Sequence, residues 1–199
     1  MLDDVTGIIL AGGRSSRFGS DKLAFEIDGR TMLRRAVDAM AQVTPRIIVV
    51  LAPGTERPSS AALDPRVEAV HDPTPFEGPL AGLAVGLDAV RTSIALVAGG
   101  DMPRMVPAVL RRLASTAGPD RPAVTLEVPR RVQPLPMAML VEFARPAVAA
   151  LLRADERSLR ALLREMKAAS LPAPVWLSLD PAGDTVVDID RPTDIRAKR

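Results

Sequence analysis

The sequence predicts an α/β fold of three layers, in which helices cover both faces of a mostly parallel β-sheet. Short apolar runs rich in Val and Ile alternate with stretches whose apolar residues recur at helical spacing. Buried strands that alternate with amphipathic helices are typical of parallel sheets, because each helix returns the chain to the edge where the next strand starts. A length of 199 residues favours one domain that spans residues 1–199.

Four apolar runs are predicted as buried strands, and three amphipathic stretches are predicted as the helices that connect and follow them. The strands cover residues 7–10, 46–52, 66–70 and 93–99, and the helices cover residues 31–43, 79–91 and 105–116. Within each helix the apolar residues recur three and four positions apart, so they lie on one face. We expect those faces to pack on the sheet.

The second half of the chain is less regular. Residues 123–141 contain two extended pieces separated by a turn rich in Pro and Arg, which predicts a hairpin. Residues 143–166 predict two helices that break near Asp155, with Ser158 as the cap of the second. Residues 174–179 and 185–190 are predicted as late strands, and a short helix is predicted to follow them.

The composition excludes several classes of protein. The chain has no Cys and a single His, His71, so a thiolate nucleophile and a Cys-based metal site are excluded. A formal net charge of +2 and an aromatic content of 3% argue against nucleic-acid binding. No apolar run approaches the roughly 20 residues of a membrane span, and the N-terminus lacks a secretory pattern. We expect a cytoplasmic protein that binds neither nucleic acid nor membrane.

The segment "LAGGRSSRFGSDK", from Leu10 to Lys22, directly follows the first predicted strand. Glycines expose backbone N–H groups and accept positive φ, which suits a loop that wraps an anion. The spacing fits neither the P-loop pattern GxxxxGK[ST] nor the dinucleotide pattern GxGxxG. Only three of the 26 basic residues are Lys, and Lys22 closes this loop. The segment therefore predicts a phosphate cradle of a third kind.

The same segment resembles the signature LAGGxSxRxGxDK of the molybdenum cofactor guanylyltransferase family, nucleotidyltransferases with a glycosyltransferase-A-like, Rossmann-like sheet. Every fixed position of that signature is met, by Leu10, Ala11, Gly12, Gly13, Ser15, Arg17, Gly19, Asp21 and Lys22. The resemblance implies nucleotide binding by residues 10–13 and Lys22. It also implies a catalytic role for Arg17 and Lys22, which neutralise phosphate charge.

Two further stretches fall where the family needs them. "GPLAG" opens the helix predicted at residue 79, and the resemblance implies that Gly78, Pro79 and Leu80 contact the base and ribose. A helix N-terminus after Gly-Pro also offers amide donors. "VHDP" contains Asp72, which corresponds to an aspartate that the family places near the nucleotide. Asp72 fits an Asp-Pro turn equally well, and the adjacent His71 is interpreted as structural.

The stretch "GDMP" ends the fourth predicted strand and puts Asp101 at the carboxyl edge of the sheet. This edge is where ligands bind in open α/β sheets, and Asp101 lies beside the glycine loop if the first and fourth strands are neighbours. A carboxylate there suits Mg²⁺, which binds phosphates together with one or two carboxylates. Asp101 is therefore the predicted catalytic metal ligand and nucleotide contact, with a helix cap as the alternative.

Two later stretches complete the resemblance. Gln133 and Pro134 match the family's Q-P-L segment, where the acceptor approaches. "VDIDRPTDI" resembles the late motif NxNTPE[DE]L, with Asp188 and Asp190 at its two Asn positions. Asp190 is the predicted second ligand of Mg²⁺ if this segment returns beside the first carboxylate, and Asp188 stays open as the ligand in its place. Its alternative is a strand exit that caps a helix.

The resemblance implies that GMP is transferred from GTP to the phosphate of molybdopterin, or of the molybdenum cofactor, with release of pyrophosphate. It implies Mg²⁺ as cofactor, and molybdenum-insertion proteins or molybdoenzymes as partners. Such chemistry needs positioning and charge neutralisation more than a protein nucleophile. A chain without Cys and with one His fits that requirement.

Departures from the pattern leave the nucleotide open. Leu51 stands where many guanylyl-transferring members have an Asn, and the acidic residues of the late motif are closer to relatives that use other nucleotides. Transfer from CTP, or to another small phosphate, is the nearest alternative, although "LAGG" and "GDMP" favour guanine. A non-catalytic nucleotide sensor is the alternative of another class. The intact set of Arg17, Lys22 and Asp101 argues against a sensor.

Overall fold

The computed structural model describes residues 1–12, 25–55, 64–73, 78–129 and 133–189. Its strands are β1 (Val5–Ala11), β2 (Glu26–Ile27), β3 (Arg30–Thr31), β4 (Arg46–Leu51), β5 (Val67–His71), β6 (Ile94–Gly99), β7 (Ala123–Leu126), β8 (Met137–Leu140) and β9 (Ala169–Leu171). Its helices are α1 (Met32–Ala41), α2 (Pro79–Ala89), α3 (Pro107–Thr116), α4 (Val141–Arg153), α5 (Leu159–Glu165) and α6 (Ala173–Leu177), followed by a 3₁₀ turn (Asp184–Val186).

Seven strands form one sheet in the order β5-β4-β1-β6-β8-β7-β9. The first four strands in this order run parallel, and β8 is antiparallel to both of its neighbours, β6 and β7. β1 lies between β4 and β6, and its residues Ile8 and Ile9 are fully buried. The four predicted buried strands and the hairpin of β7 and β8 are confirmed.

Helices cover both faces of the sheet, which confirms the three-layer α/β/α prediction. On one face Leu33 of α1, Leu110 of α3 and Trp176 of α6 share a buried cluster with the strands. On the other face Leu83 of α2 and Leu162 of α5 belong to a second cluster, to which α4 also contributes. Among the described residues no helix is long and apolar enough to cross a membrane.

Local capping signals set where the helices begin. The Thr31 side chain accepts a hydrogen bond from the Arg34 N–H at 3.1 Å and caps α1. Ser158 accepts from the Arg160 N–H at 3.1 Å and caps α5, as the sequence predicts. α2 begins at Pro79, whose fixed φ and missing N–H suit a first helical position.

The strand predicted at residues 174–179 is wrong, because this stretch begins within α6. Glu127, at the end of β7, sets the helix in place. Its Oε2 accepts from the Ala173 N–H at 2.8 Å, and its carbonyl accepts from Trp176 Nε1 at 2.9 Å. A carboxylate on the first amide of α6 supplies a cap that local sequence does not contain.

The strand predicted at residues 185–190 is also wrong. Residues 184–186 form a 3₁₀ turn, and the chain continues without regular structure to Ile189. Gly183 has a φ of 67°, and the Asp180 carboxylate accepts from the Thr185 N–H at 2.7 Å. These contacts curl the chain into a turn. The helix predicted after residue 190 lies outside the described residues.

Candidate active site

The candidate site lies at the carboxyl edge of the parallel half of the sheet. β5, β4, β1 and β6 are consecutive and parallel, so they all end at this edge. Asp72 follows β5, Gly12 follows β1, and Asp101 lies two residues past the end of β6. Three strand spacings separate β5 from β6, which corresponds to about 14 Å. The edge therefore offers an extended ligand a row of strand ends.

β1 and β6 are neighbours, as the prediction for Asp101 required. The Gly100 N–H donates to the Leu10 carbonyl at 2.9 Å, which ties the start of the "GDMP" turn to the end of β1. A Cβ at Gly12 would lie 3.4 Å from the Ala52 backbone nitrogen, so the chain leaves β1 close to the residue after β4. Gly13, Arg17 and Lys22 lie outside the described residues.

Asp101 occupies a tight turn that follows β6. The Met102 N–H donates to the Gly99 carbonyl at 3.3 Å, and the buried Met102 Sδ accepts from the Gly99 N–H at 3.4 Å. A Cβ at Gly99 would overlap Asp101 Oδ1, so the glycine makes room for the carboxylate. Asp101 is half-buried. The N-cap residue of α3 is Val106, so Asp101 does not cap that helix.

The segment after the 3₁₀ turn returns to Asp101. The Ile189 N–H donates to the Asp101 carbonyl at 3.0 Å, and the buried Ile189 side chain packs with Ile27 and Met32. Asp188 is exposed. The return beside Asp101 is the arrangement on which the prediction for Asp190 depended, although Asp190 itself lies outside the described residues.

Asp72 and the N-terminus of α2 lie together on the other side of β1. The Asp72 N–H donates to the Leu51 carbonyl at 2.9 Å, which fixes the turn after β5. A Cβ at Gly82 would lie 3.9 Å from Asp72 Oδ2 and 4.0 Å from Leu10 Cδ2. The carboxylate therefore sits over the first turns of α2. The neighbouring ring nitrogen, His71 Nε2, lies 2.9 Å from the Thr55 carbonyl, in keeping with a structural role.

Arg157, which the sequence analysis did not single out, supports the turn at Gly78. The Leu80 N–H donates to the Arg157 carbonyl at 3.3 Å. Gly78 has a φ of 93°, and a Cβ there would lie 3.0 Å from Arg157 Cβ. The Leu80 side chain is fully buried, so within this turn it is Gly78 and Pro79 that reach the surface. No local signal in the sequence connects Arg157 to the turn.

Gln133 lies beside the same C-terminal segment that meets Asp101. Its carbonyl accepts from Thr125 Oγ1 at 2.8 Å, and its side-chain Nε2 lies 3.5 Å from the Val186 carbonyl. Gln133 is half-buried and follows the undescribed tip between β7 and β8. Residues 186–189 therefore connect Gln133 to Asp101.

The opposite, amino edge of the sheet, where the parallel strands begin, carries an ion pair and a cleft. Arg66 holds Asp64 in a bidentate ion pair, and these hydrogen bonds lower the pKa of the Asp64 carboxyl. The same pairing raises the pKa of Arg66. A cleft of about 280 Å³ opens nearby, lined by Thr6, Arg46 and Glu68 among others. None of the predicted site residues that the structure describes lines this cleft.

Comparison with known proteins decides the family. The family model described as the MobA-like NTP transferase domain matches residues 7–170. The chain belongs to this family. A relative from Chloroflexus aggregans, named a probable molybdenum cofactor guanylyltransferase, is 32% identical over 200 residues, which cover 96% of this chain and 92% of the relative. A relative of the same name from Deinococcus radiodurans is 36% identical over 157 residues, which cover 78% and 77%.

Solved structures support the fold of this NTP transferase. Molybdopterin-guanine dinucleotide biosynthesis protein A from Archaeoglobus fulgidus superposes with a TM-score of 0.79 at 18% identity, over 96% of this chain and 95% of that one. The chain is therefore an enzyme of the nucleotidyltransferase class. Enzymes of this family typically use a divalent metal.

The donor set at the edge fits a divalent metal that is bound together with substrate phosphates. Among the residues the structure describes, no group of three or more His, Cys, Asp or Glu could hold a metal ion. Mg²⁺ in phosphate-transfer sites needs only one or two carboxylates, because phosphate oxygens and waters complete its shell. Asp101, fixed by the Gly99 turn at the strand end, fits that role in this NTP transferase.

Proposed function

We propose that this nucleotidyltransferase transfers GMP from GTP to the terminal phosphate of molybdopterin, or of its molybdenum form. We propose that it does so in the cytoplasm, as one domain over residues 1–199. The observation that carries the proposal is the bond from the Gly100 N–H to the Leu10 carbonyl. It sets Asp101 beside the first residues of the segment that matches the guanylyltransferase signature. The two relatives named molybdenum cofactor guanylyltransferases support the choice of substrates.

The reaction forms one phosphorus–oxygen bond and breaks another. An oxygen of the acceptor phosphate attacks the α-phosphorus of GTP, and the bond to the β-phosphate breaks so that pyrophosphate leaves. Such a step requires alignment and neutralisation of phosphate charge. The backbone amides of the glycine loop that follows β1 hold the phosphates, while Arg17 and Lys22 neutralise charge on the α-phosphate and on the departing pyrophosphate.

The nucleoside lies on the β5 side of the glycine loop. Asp72 and Leu10 both lie near Gly82 there, in the first turns of the helix that the Gly78 turn opens. The Asp72 carboxylate accepts hydrogen bonds from donors on the nucleoside, and Gly78 and Pro79 form the surface against which it rests, while the buried Leu80 anchors their turn. Gln133 lies on the acceptor side, across β6 from the nucleoside.

Asp101 would hold Mg²⁺, and Asp190 is the second proposed ligand. When bound, the ion supplies positive charge next to the phosphates. The protein's contribution is to fix the first carboxylate through the Gly99 turn and the bond from Ile189 to the Asp101 carbonyl. The bond from Ile189 joins main-chain atoms, and the turn depends on the absence of a side chain at Gly99.

The test is a pyrophosphate-release assay with each of the four nucleoside triphosphates, Mg²⁺ and purified molybdopterin. Release with GTP alone, dependent on molybdopterin, is the expected result. Release with CTP alone would replace guanylyl transfer by cytidylyl transfer. Tight nucleotide binding without release from any triphosphate would overturn the enzymatic proposal in favour of a nucleotide sensor.

Cytidylyl transfer is kept as the second candidate because of one position. Leu51 ends β4 and is 1% exposed, and its carbonyl accepts the Asp72 N–H. A buried Leu has no amide to offer a base, whereas many guanylyl-transferring members resembled by this chain have Asn there. Exchange of Leu51 for Asn, assayed with GTP and CTP in parallel, measures how much this position contributes to the choice.

A further inference from the structure

The loop that carries Asp101 is tied down at both of its ends. At its start the Gly100 N–H donates to the Leu10 carbonyl at 2.9 Å. At its end the Val106 N–H donates to Thr185 Oγ1 at 3.1 Å. Val106 is the N-cap residue of α3 and has no cap from its own side chain. The second tie is therefore supplied by a residue of the C-terminal segment.

Thr185 is itself held by a buried carboxylate. Its N–H donates to Asp180 Oδ2 at 2.7 Å, and Thr185 and Asp180 are 0% and 3% exposed. Buried polar groups are almost always hydrogen-bonded, and loss of one partner leaves the other without compensation. Asp180, Thr185 and Val106 thus form a continuous hydrogen-bonded chain from the interior to the loop.

Two more contacts bind the same segment to the site. Arg104 Nη1 lies 3.9 Å from Asp184 Oδ1, and the Ile189 N–H donates to the Asp101 carbonyl at 3.0 Å. On the other side Gln133 Nε2 lies 3.5 Å from the Val186 carbonyl. Residues 184–189 therefore contact both the loop of Asp101 and the residue proposed to face the acceptor.

We propose that Thr185 and Asp180 are positioning residues of the transfer reaction, which hold the Asp101 carboxylate in the geometry that binds the divalent metal. This proposal rests on the function proposed above for the same edge. Neither side chain needs to touch a substrate. Thr185 acts through the Val106 amide and the loop behind it, and Asp180 acts by fixing the 3₁₀ turn that presents Thr185.

The central variant is Thr185→Val, which keeps the shape of the side chain and removes the acceptor for Val106. Loss of a buried hydrogen bond of ordinary strength corresponds to about a tenfold change in an equilibrium constant. We expect the Mg²⁺ concentration that gives half-maximal pyrophosphate release to rise about tenfold. At saturating Mg²⁺ we expect kcat and the KM for GTP to return close to wild type. The KM for the acceptor should rise, because the segment that contains Thr185 also contacts Gln133 through the Val186 carbonyl.

Thr44→Val is the matched control. Thr44 is also 0% exposed, and its hydroxyl bonds the Val5 carbonyl and accepts from the Arg46 N–H at 3.3 Å, at the amino edge of the sheet. Both Val variants should lower Tm, but only Thr185→Val should change the metal requirement. Thr185→Ser, which keeps the hydroxyl, should restore it to within about twofold. Asp180→Asn should raise the Mg²⁺ requirement by less than Thr185→Val does, because the amide oxygen can still accept the Thr185 N–H.

A second readout does not depend on turnover. In metal-free protein, amide hydrogen exchange in residues 100–106 should accelerate in Thr185→Val and stay unchanged in Thr44→Val, and Mn²⁺ binding followed by electron paramagnetic resonance should weaken only in the former. Equal effects of the two Val variants, or no rescue by Thr185→Ser, would overturn the positioning role. If the wild-type protein releases no pyrophosphate from any triphosphate, the proposed function fails. Amide hydrogen exchange and Mn²⁺ binding would then still decide whether Thr185 holds the loop of Asp101.

Discussion

The two edges of the same sheet differ in the contacts that hold Asp64 and Asp101. At the amino edge side chains bind one another. Arg66 donates to both oxygens of Asp64 at 3.0 and 2.9 Å and to the Ala41 carbonyl at 2.8 Å, and the hydroxyls of Thr6 and Thr92 lie 2.8 Å apart.

At the carboxyl edge three hydrogen bonds that hold the strand ends run between main-chain atoms. Gly100 bonds Leu10, Asp72 bonds Leu51, and Ile189 bonds Asp101, each from N–H to carbonyl at 2.9 to 3.0 Å. A main-chain bond survives replacement of the side chain. Substitution of the Asp101 side chain should therefore change chemistry with little loss of stability, whereas substitution of Asp64 at the amino edge should lower stability and leave the chemistry unchanged.

The largest effect is expected from Lys22→Ala, in the signature segment and outside the described residues. Removal of a charge that neutralises the reacting phosphates should lower kcat by about 10²–10³, with Tm unchanged. Lys167→Ala is the control, because Lys167 is exposed after α5 and should leave kcat at the wild-type value. Near-normal guanylyl transfer by folded Lys22→Ala would remove this residue from the proposed mechanism.

Asp101→Asn tests the carboxyl edge at a described position. The variant keeps the Asp101 carbonyl that accepts from Ile189 and replaces the carboxylate by a neutral amide of the same shape, so we expect kcat to fall about 100-fold and Tm to stay within a few degrees of wild type. Differential scanning fluorimetry and the pyrophosphate assay measure the two quantities on one preparation. A large fall in Tm would show that this edge also depends on side-chain contacts.

Helix α2 carries one glycine near the candidate site, Gly82, and another packed tightly against β1 and β4, Gly86. The stability of variants at these two positions can therefore be compared within one helix. A Cβ at Gly86 would lie 2.8 Å from Ile8 Cγ2 and 3.1 Å from Val50 Cγ2, whereas at Gly82 its nearest contact is 3.7 Å. Gly86→Ala should therefore lower the free energy of unfolding by about 1–3 kcal/mol, the usual cost of overpacking. Gly82→Ala should leave it unchanged or raise it by up to about 1 kcal/mol, because Ala favours helix. Urea titrations measure both, and equal destabilisation would contradict the packing described at Gly82.

The smallest effect is expected from Asp64→Asn at the amino edge, and it depends on pH. Arg66 lowers the pKa of Asp64, so the ion pair stabilises the fold at neutral pH and loses that contribution as pH falls through the lowered folded pKa, below the usual value of about 4. We expect a cost of about 1 kcal/mol at pH 7 that shrinks below pH ~4. Asp120→Asn, at an exposed loop position, is the control. A cost that does not vary with pH would refute the linkage.

Prediction from sequence succeeded where local composition determines structure. β1, β4 and β6 are apolar runs between polar turns, and their order in a parallel sheet brings Asp101 beside Leu10. It failed where contacts with residues distant in the sequence determine the local structure. The stretch that contains Trp176 reads as a strand from its apolar residues, yet Glu127 caps it as a helix.

The candidate site likewise contains residues whose positions the sequence predicts and residues whose positions it does not. The edge positions of Asp72 and Asp101 follow from strand ends, which periodicity reveals. The Arg157 carbonyl accepts from the Leu80 N–H and the Thr185 hydroxyl accepts from the Val106 N–H. Both contacts form only when the chain folds, and no sequence motif indicates them. The roles of Gly13, Arg17, Lys22 and Asp190 stay predictions from the signature.

The small cluster formed by Ile27, Met32 and Ile189 has a practical consequence for anyone who fuses this protein to another. Ile189 lies beside Asp101, at the edge of the sheet where we propose that substrates bind. Met1 is 72% exposed and precedes β1 at the opposite edge. A purification tag or fluorescent reporter therefore belongs at the amino terminus, where its bulk stays away from the nucleotide.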